Sequence, residues 1–597
     1  MFPQRQGAGD KNVQTDIEPA GSDREDTTGG AMSPHRQEPS SGATLYERND
    51  NLVKEEFLRG EFDFVEGVGE ISETDFFRMI TQKAVLKKLA STYPSPHKKH
   101  DVPTWVYIAS DISMRFNGVH NFYAFPYVVR SGGMVQAFGP AMGHKAVHPQ
   151  TGDVSLSCEG FNNKNDYDRQ TPCDQDYLRK MARQTDAKLL QTWFNKDVVG
   201  IFKEHHAFDE EGIFIGDATY LFVPDNSSYE GSSLLLFDES NHPVESKELT
   251  DKQKARCVWR RCYKLVSLIH INRAQEFFLY AGLEVTPGKD HESPILYRLV
   301  EQFIQSHGLG IMKRLILDRG FLDGPEIGRL KQEWGINVLI PVRSNMDIYK
   351  DVVGLAEGGM LEFKKWVPPM SAPPLIPMHR PEHIRKREEA RQRTLRERKA
   401  QAGVKTPADS SKVLVQSEVA CVRDLQTFST CPIALNAVIN RETYSDGHHD
   451  YWVLLDTGPV DDPAHTRQEY TLRAAIEERH RQLKCFSDLE AFSSRCFSLI
   501  VNQVVFVLLT YSLLQWYLLR VGRKDLCPKT PMRTRELLRP TNTVIIMYHK
   551  NYVAHLTPLD YMELTLSVDG QAKIKILAKT RKLRRESAHQ LNNARPP

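Results

Sequence analysis

Between residues 206 and 345 the apolar positions form short runs, and each run has the length of a single strand or helix. Strand-like runs occupy 213–215, 262–271, 276–285, 315–317 and 336–343. Residues 291–306 and 324–334 repeat apolar positions at helical spacing, with Pro294 and Pro325 near the expected helix starts. The resulting order, β-β-β-α-β-α-β-α, predicts an α/β fold with a mixed sheet and flanking helices.

The pattern is interrupted after Arg343. Residues 366–381 are rich in proline and fit neither a core helix nor a central strand. Residues 380–399 hold nine Lys or Arg and four Glu, and they form either a solvated charged helix or a phosphate-binding arm. Residues 432–459 are typical of two strands joined by an Asp446–Gly447 turn. We assign residues 346–465 to a β-rich insertion domain.

One predicted helix, residues 470–484, carries four polar side chains within an arc of about 60°. These residues are Tyr470, Arg473, Glu477 and Lys484. Apolar side chains gather on the opposite side, at Leu472, Ile476 and Leu483. The helix is therefore expected to pack through an apolar stripe and to present one carboxylate among cations. Alternatively, Glu477 forms i, i+4 surface ion pairs with Arg473 and Arg481 on a solvated helix.

Two aspartates upstream follow apolar strands. The strand at 213–215 is expected to end at Gly216 and Asp217, and the strand at 315–317 leads into Asp318. The intervals from Asp217 to Asp318 and from Asp318 to Glu477 are 101 and 159 residues. The longer second interval is consistent with an insertion before the helix.

The spacing Y-x2-R-x3-E-x6-K resembles the signature of bacterial insertion-sequence transposases of the DDE type. The resemblance covers roughly residues 210–520 and implies a ribonuclease-H-like catalytic core interrupted by an insertion domain. It also implies that Asp217, Asp318 and Glu477 are catalytic and bind two Mg²⁺ ions, with Asp217 bridging both and Mn²⁺ able to substitute. Carboxylate oxygens suit such hard cations, and paired cations suit phosphodiester cleavage and transfer.

The same resemblance implies that Tyr470, Arg473 and Lys484 contact DNA phosphates beside the cleavage site. An insertion-domain tryptophan can stack on a flipped base in this family, and Trp366 is our candidate, although no motif marks it. The expected partners are double-stranded DNA, both terminal inverted repeats and target, and a second copy of the chain. The reaction would be strand cleavage and strand transfer at the ends of its own element, in the cytoplasm of a bacterium near the nucleoid.

Composition sets wider limits. The formal net charge of +2 requires any DNA affinity to come from local clusters, and nine scattered cysteines favour a reducing compartment. The first 44 residues are polar and without an apolar run, so we expect disorder there. The remaining predicted units are a mainly helical N-terminal DNA-binding domain (45–205), the core in two parts (206–345 and 466–525), and a C-terminal region with a basic tail (526–597).

Two other functions remain open. The chain could be a non-catalytic, DNA-binding relic of a transposase, which would bind DNA without metal-dependent nicking. Residues 497–519 contain no charge and are long enough to cross a bilayer, which would suit a membrane-associated protein. Asn502, Gln503 and Gln515, together with the position directly after the catalytic helix, favour a buried core helix.

Overall fold

The computed structural model describes residues 47–69, 72–97, 102–125, 145–147, 154–156, 175–239, 241–245, 249–367, 414–538, 543–550 and 552–593. All of them belong to one compact unit that spans Ala43–Pro597. The predicted disordered N-terminus, the basic arm at 380–399 and nearly all of the proline-rich stretch lie outside the described residues.

The strands and helices are numbered here along the described chain. The strands are β1 (Glu47–Arg48), β2 (Phe64–Gly69), β3 (Lys145–Val147), β4 (Val154–Leu156), β5 (Ile213–Val223), β6 (Ser233–Phe237), β7 (Val258–Ile271), β8 (Phe278–Pro287), β9 (Arg314–Ile316), β10 (Asn337–Pro341), β11 (Lys364–Lys365), β12 (Leu414–Leu425), β13 (Leu435–Tyr444), β14 (His449–Asp456), β15 (Thr543–His549) and β16 (Tyr552–Leu556). The helices are α1 (Asp50–Leu58), α2 (Ser72–Gln82), α3 (Val85–Thr92), α4 (Thr104–Phe116), α5 (Gln175–Gln184), α6 (Ala187–Trp193), α7 (Val199–Glu204), α8 (Asp251–Lys254), α9 (Glu292–His307), α10 (Gly324–Trp334), α11 (Asp347–Glu357), α12 (Pro463–Tyr470), α13 (Ala474–Phe486), α14 (Phe497–Arg520), α15 (Pro531–Leu538), α16 (Pro558–Leu566) and α17 (Gly570–Asn593).

The central sheet has the strand order β11-β12-β13-β14-β10-β9-β5-β7-β6, and β8 pairs with the second half of β7. Strands β5, β9 and β10 run parallel to one another, and β7 runs antiparallel to β5. The strands predicted from the sequence thus lie in the order β8-β7-β5-β9-β10. This large mixed sheet with flanking helices fits a ribonuclease-H-like core, as predicted.

The helices that cover the sheet begin and end at recognisable signals. In α10 the Asp323 side chain accepts a hydrogen bond from the Glu326 N–H, Pro325 lies in the first turn, and Gly335 ends the helix with φ +68°. Gly335 has the left-handed conformation that favours glycine at a helix end. The predicted bounds 324–334 are therefore confirmed.

Strand β5 corrects one prediction. We expected the strand to end at Gly216 and Asp217, but it continues to Val223, and Asp217 lies opposite Ser267 of β7 in its interior. Gly216 is needed for close packing instead of a turn, because a Cβ there would lie 2.8 Å from the side chains of Leu296 and Leu317. The polar Gly-Asp pair interrupted the apolar run in the sequence without interrupting the strand.

Helix α14 is a core helix. It is the one described helix that is long and apolar enough to cross a membrane, and 89% of its most apolar window is buried inside the protein. Polar side chains of α14 accept hydrogen bonds from β8. The Phe278 and Tyr280 N–H groups donate to Gln515 and Ser512. These hydrogen bonds satisfy backbone groups at the free edge of the sheet.

The predicted insertion contributes strands to this same sheet. Strand β14 pairs antiparallel with β10, and β12 and β13 extend the sheet beyond it. The turn between β13 and β14 contains Gly447 at φ +82°, where the Asp446–Gly447 turn was predicted.

The two ends of the described chain meet in a second, smaller sheet with the order β1-β16-β15-β2. Its core contains Phe57, Phe62 and Met547. The predicted boundaries at 45 and 526 therefore separate segments that the structure joins. The paired segments are roughly 500 residues apart in sequence, so no local pattern predicts their pairing.

Candidate active site

The three predicted carboxylates come from three different elements and meet at one point. Asp217 projects from the interior of β5, Asp318 follows β9 by two residues, and Glu477 lies in the first turn of α13. Asp217 is buried, with 8% of its surface exposed, whereas the Glu477 side chain is 53% exposed. The cluster therefore has a buried base and an open side.

The guanidinium of Arg473 lies among the three carboxylates. Its Nη1 is 2.7 Å from Glu477 Oε1, and its Nη2 is 3.4 Å from Asp318 Oδ2 and 3.8 Å from Asp217 Oδ1. Only the Glu477 contact has hydrogen-bond length; the other two are charge contacts. We had predicted that Arg473 contacts DNA, and here it is the counter-ion of the carboxylate cluster.

Burial raises the pKa of Asp217 to about 7. Arg473 and the Ala218 N–H lower it, while the negative charges of Glu477 and Asp318 raise it. Burial alone would lower the pKa of Arg473, but the three carboxylates together hold it above its usual value. The three carboxylates therefore favour a cation at the centre of the cluster. Even with Arg473 there, burial disfavours the charged form of Asp217.

His480 lies behind Asp217, and the sequence prediction did not include it. Its Nδ1 is 3.8 Å from Asp217 Oδ2, and its Nε2 is 3.0 Å from the Ser267 hydroxyl. Burial, with a smaller contribution from Lys484, lowers the pKa of His480 to about 3, so the ring is neutral at physiological pH. The spacing offered one signal, because a residue three positions after Glu477 lies near the same helix face.

The predicted single helix is divided. Tyr470 ends α12, residues Thr471–Arg473 form one 3₁₀ turn, and Glu477 and Lys484 lie on α13. The Thr471 hydroxyl donates to the Gln468 carbonyl oxygen at 2.6 Å, which is the kind of side-chain to backbone bond that tightens a turn. The apolar stripe is confirmed, since Leu472, Ile476 and Leu483 are all buried.

Lys484 is bound within the protein. Its ammonium donates to the Tyr220 carbonyl oxygen and lies 2.8 Å from Glu490 Oε1. It therefore ties α13 both to β5 and to the segment that follows α13. Tyr470 is half-buried, and burial raises the pKa of its hydroxyl to about 12, so it is a neutral donor.

Arg467 connects Trp366 to the region around Tyr470. The Arg467 guanidinium lies 3.8 Å from the centre of the Trp366 ring and 5.1 Å from that of Trp452, and it pairs with Glu442 at 2.9 Å. The Trp452 ring lies 6.2 Å from the Tyr470 ring. A series of aromatic and cationic side chains thus connects Trp366 to the carboxylate cluster. The sequence prediction did not include Arg467, which joins the two tryptophans.

A buried ion-pair network fixes the elements around Asp318. Arg314, on the strand that leads to Asp318, makes two bonds of 2.6 Å to Asp456 and lies 2.7 Å from Glu469. Glu469 also pairs with Arg273 at 2.9 Å. Bidentate arginine pairs of this kind give directional restraint. The network joins β9, β14 and α12, and so fixes the position of Tyr470 relative to Asp318.

Residues 229–513 match the family model of the transposase DDE domain. This match supports a transposase of the DDE type and includes Asp318, Glu477 and the residues around them. The match begins twelve residues after Asp217 (229 − 217 = 12), so it does not include the first carboxylate. Only the structure brings Asp217 together with the other two. No curated protein matches the chain.

The donor set of the carboxylate cluster suits a hard divalent cation. Three carboxylates and no thiolate surround a single cationic group, which is oxygen-only chemistry of the kind that Mg²⁺ and Mn²⁺ accept. Among the described residues no group of three acidic, histidine or cysteine side chains is arranged as a metal site. A cation bound by all three carboxylates would have to take the place of the Arg473 guanidinium, which now lies among them.

Proposed function

We propose that this protein is a divalent-metal-dependent DDE transposase that cleaves DNA at the ends of its own insertion sequence and transfers the cut strand to target DNA. The convergence of Asp217, Asp318 and Glu477 on one cationic centre carries the proposal. A buried carboxylate whose pKa is strongly raised beside specific charge partners marks a candidate functional site. The match to a transposase DDE domain adds independent support.

Asp217, Asp318 and Glu477 would hold two Mg²⁺ ions, and Mn²⁺ would substitute for them. When bound, these ions would activate the attacking oxygen and stabilise the leaving oxygen. Asp217 would be fully ionised beside such charge, because a nearby cation lowers a carboxyl pKa. His480, neutral and held by Ser267, would keep Asp217 oriented without adding positive charge.

Of the other signature residues, Arg473 and Tyr470 would contact DNA. Arg473 offers a planar fork to phosphate oxygens once it leaves the carboxylates, and Tyr470 offers a neutral hydroxyl. Lys484 would act mainly from its present place, by holding α13 against β5. Trp366 would stack on a base near the element end, either on the ring face opposite Arg467 or after displacement of Arg467.

The proposed partners are double-stranded DNA, as inverted repeats and as target, and a second copy of the chain that holds the other element end. The proposed location is the bacterial cytoplasm beside the nucleoid. The described part of the chain has no membrane-spanning candidate apart from the buried α14.

The test is strand cleavage of a plasmid that carries the element with its native flanks, in Mg²⁺ and in EDTA. Glu477→Gln should abolish cleavage and leave binding to the element ends intact. Glu478→Gln is the matched control, because Glu478 lies next along the same helix but pairs with Arg481 and Gln482. It should cleave at nearly the wild-type rate.

Each other result has a distinct meaning. Equal cleavage by wild type and Glu477→Gln would reject the site. Binding to the element ends without cleavage by any form in Mg²⁺ would favour the non-catalytic relic.

A further inference from the structure

A cleft of about 890 Å³ lies beside the catalytic elements, and we call it the arginine cleft. Its walls come from the helical region before β5 and from the segment that follows α13. Four arginines line it: Arg115, Arg179, Arg183 and Arg495. The acidic residues that line it are Asp176 and Glu230, so the lining carries a formal charge of +2 (4 − 2).

The arginines have different roles in the cleft. Arg115 is buried and committed to Asp111, with Nε 2.8 Å from Asp111 Oδ1. Arg179 pairs with Asp176 at 3.3 Å on the exposed face of α5. Arg183 and Arg495 are both exposed, and Arg183 also lies near the carboxylate of Glu230. Two exposed cations thus line the cleft.

Aromatic side chains line the same cleft. Tyr123 is 74% exposed, which is unusual for a large aromatic side chain, and Phe492 is half-buried. Grooves that combine arginines with exposed aromatic rings bind unpaired nucleic acid, because phosphates pair with the cations and bases stack on the rings. The volume lies within the 300–1,000 Å³ range of small-ligand pockets, which admits a few nucleotides and excludes a duplex.

The segments that follow two of the proposed catalytic elements line the cleft. Asp217 is six residues before the end of β5, about 20 Å at strand rise, and the turn after β5 supplies Tyr229 and Glu230 to the cleft. Glu477 is nine residues before the end of α13, about 14 Å at helix rise, and the next segment supplies Phe492 and Arg495. Both catalytic elements therefore lead into the cleft.

Two contacts hold this connection. Lys484 joins α13 to Glu490 in the segment that lines the cleft, and His120 lies 3.1 Å from Asp488 in the same segment. These contacts fix the segment after α13 relative to β5 and to the helical region before β5.

We propose that the arginine cleft binds a single, unpaired DNA strand that continues from the phosphodiester that is cut. The proposal rests on the proposed transposase function for the identity of that strand. Arg183 and Arg495 contact its phosphates, and Tyr123 stacks on a base.

The test is binding of a fluorescein-labelled, mixed-sequence 12-nucleotide single strand, measured by anisotropy over a series of salt concentrations in EDTA with the full chain. The double variant Arg183→Gln/Arg495→Gln should bind at least tenfold more weakly, with a salt slope lower by about 1.4, at 0.7 per phosphate contact. Tyr123→Ala should bind roughly tenfold more weakly at an unchanged slope. Lysine at both arginine positions should restore most of the slope.

Arg523→Gln is the matched control, since Arg523 is an exposed arginine paired with Asp525 outside the cleft. Equal affinity of the double variant and this control for the single strand would overturn the proposal. Loss of binding to the duplex form alone would also overturn it.

Plasmid cleavage in Mg²⁺ tests the transposase function separately. If the plasmid is cleaved but single-strand binding does not depend on Arg183 and Arg495, the proposed role of the cleft is rejected and the transposase function is retained. Arginine-dependent binding without cleavage would support the cleft and count against the function.

Discussion

Replacing Asp217 by Asn should stabilise the protein at neutral pH while abolishing strand cleavage. Burial raises the pKa of Asp217 from an ordinary 3.8 to about 7. The folded state therefore binds more protons than the unfolded state between these values, and stability falls as pH rises through that window. The full penalty is present above about pH 7. Asn has nearly the same shape and no charge to bury.

The magnitude follows from the shift. A shift of about 3 units corresponds to roughly 4 kcal/mol at 1.36 kcal/mol per unit, and about 2 to 3 kcal/mol of it develops between pH 5 and pH 8. With an unfolding entropy of about 2.1 cal/mol/K per residue, one cooperative unit of this size shifts its melting temperature by about 3 °C at pH 8. The gain should shrink by about 2 °C at pH 5.

The assay is thermal unfolding in EDTA across pH 5–8, with Asp318→Asn as the control. Asp318 belongs to the same cluster but its side chain is 37% exposed, so it should show no such stabilisation. The groups that face Asp217 do not alter the expectation, because Arg473 stays charged and His480 stays neutral throughout this range. A melting difference between wild type and Asp217→Asn that is independent of pH would refute the reasoning.

Two further expectations concern single residues. Arg473→Gln should lower the free energy of unfolding in EDTA by about 1–3 kcal/mol, because it leaves Asp217 without its nearest cation. Calorimetry should also show that this variant binds Mn²⁺ more tightly than wild type does. Weaker binding would mean that the arginine does not compete with metal. Asn502→Ala should cost about 1–3 kcal/mol in urea unfolding, because Tyr107 and Asp111 each lose a buried 2.7 Å hydrogen bond to that side chain, and an unchanged midpoint would contradict this.

The sequence was most informative where function and local pattern coincide. Asp318 follows a strand and Glu477 lies on a helix, as predicted, because an apolar strand and an apolar helix stripe lead directly to them. The end of β5 was not predictable in the same way, since Gly216 and Asp217 are tolerated in the strand through contacts with Leu296 and Ser267, which are distant in sequence. Helix propensity and strand propensity report neighbours along the chain, and tertiary contacts override them.

The position of Arg473 shows a second limit. The sequence predicted a DNA contact for Arg473, whereas in this structure its guanidinium lies among the carboxylates, because the choice between phosphate and carboxylate depends on what else occupies the site. His480 and Arg467 were missed for a related reason. Each acquires its role from residues on other elements, Ser267 for one and the two tryptophans for the other.

Charge balance explains why one arginine can have both partners. Three carboxylates and one guanidinium leave the cluster at −2 (−3 + 1), so Arg473 is held firmly while no other cation is near. Two divalent ions would bring the carboxylates to +1 (−3 + 4), and Arg473 would then be repelled towards the open side of the site. DNA phosphates are the anions available there. On the proposed function, Arg473 therefore stabilises the resting protein and then binds the substrate, and the same change in charge that prepares the carboxylates for the reaction releases the arginine.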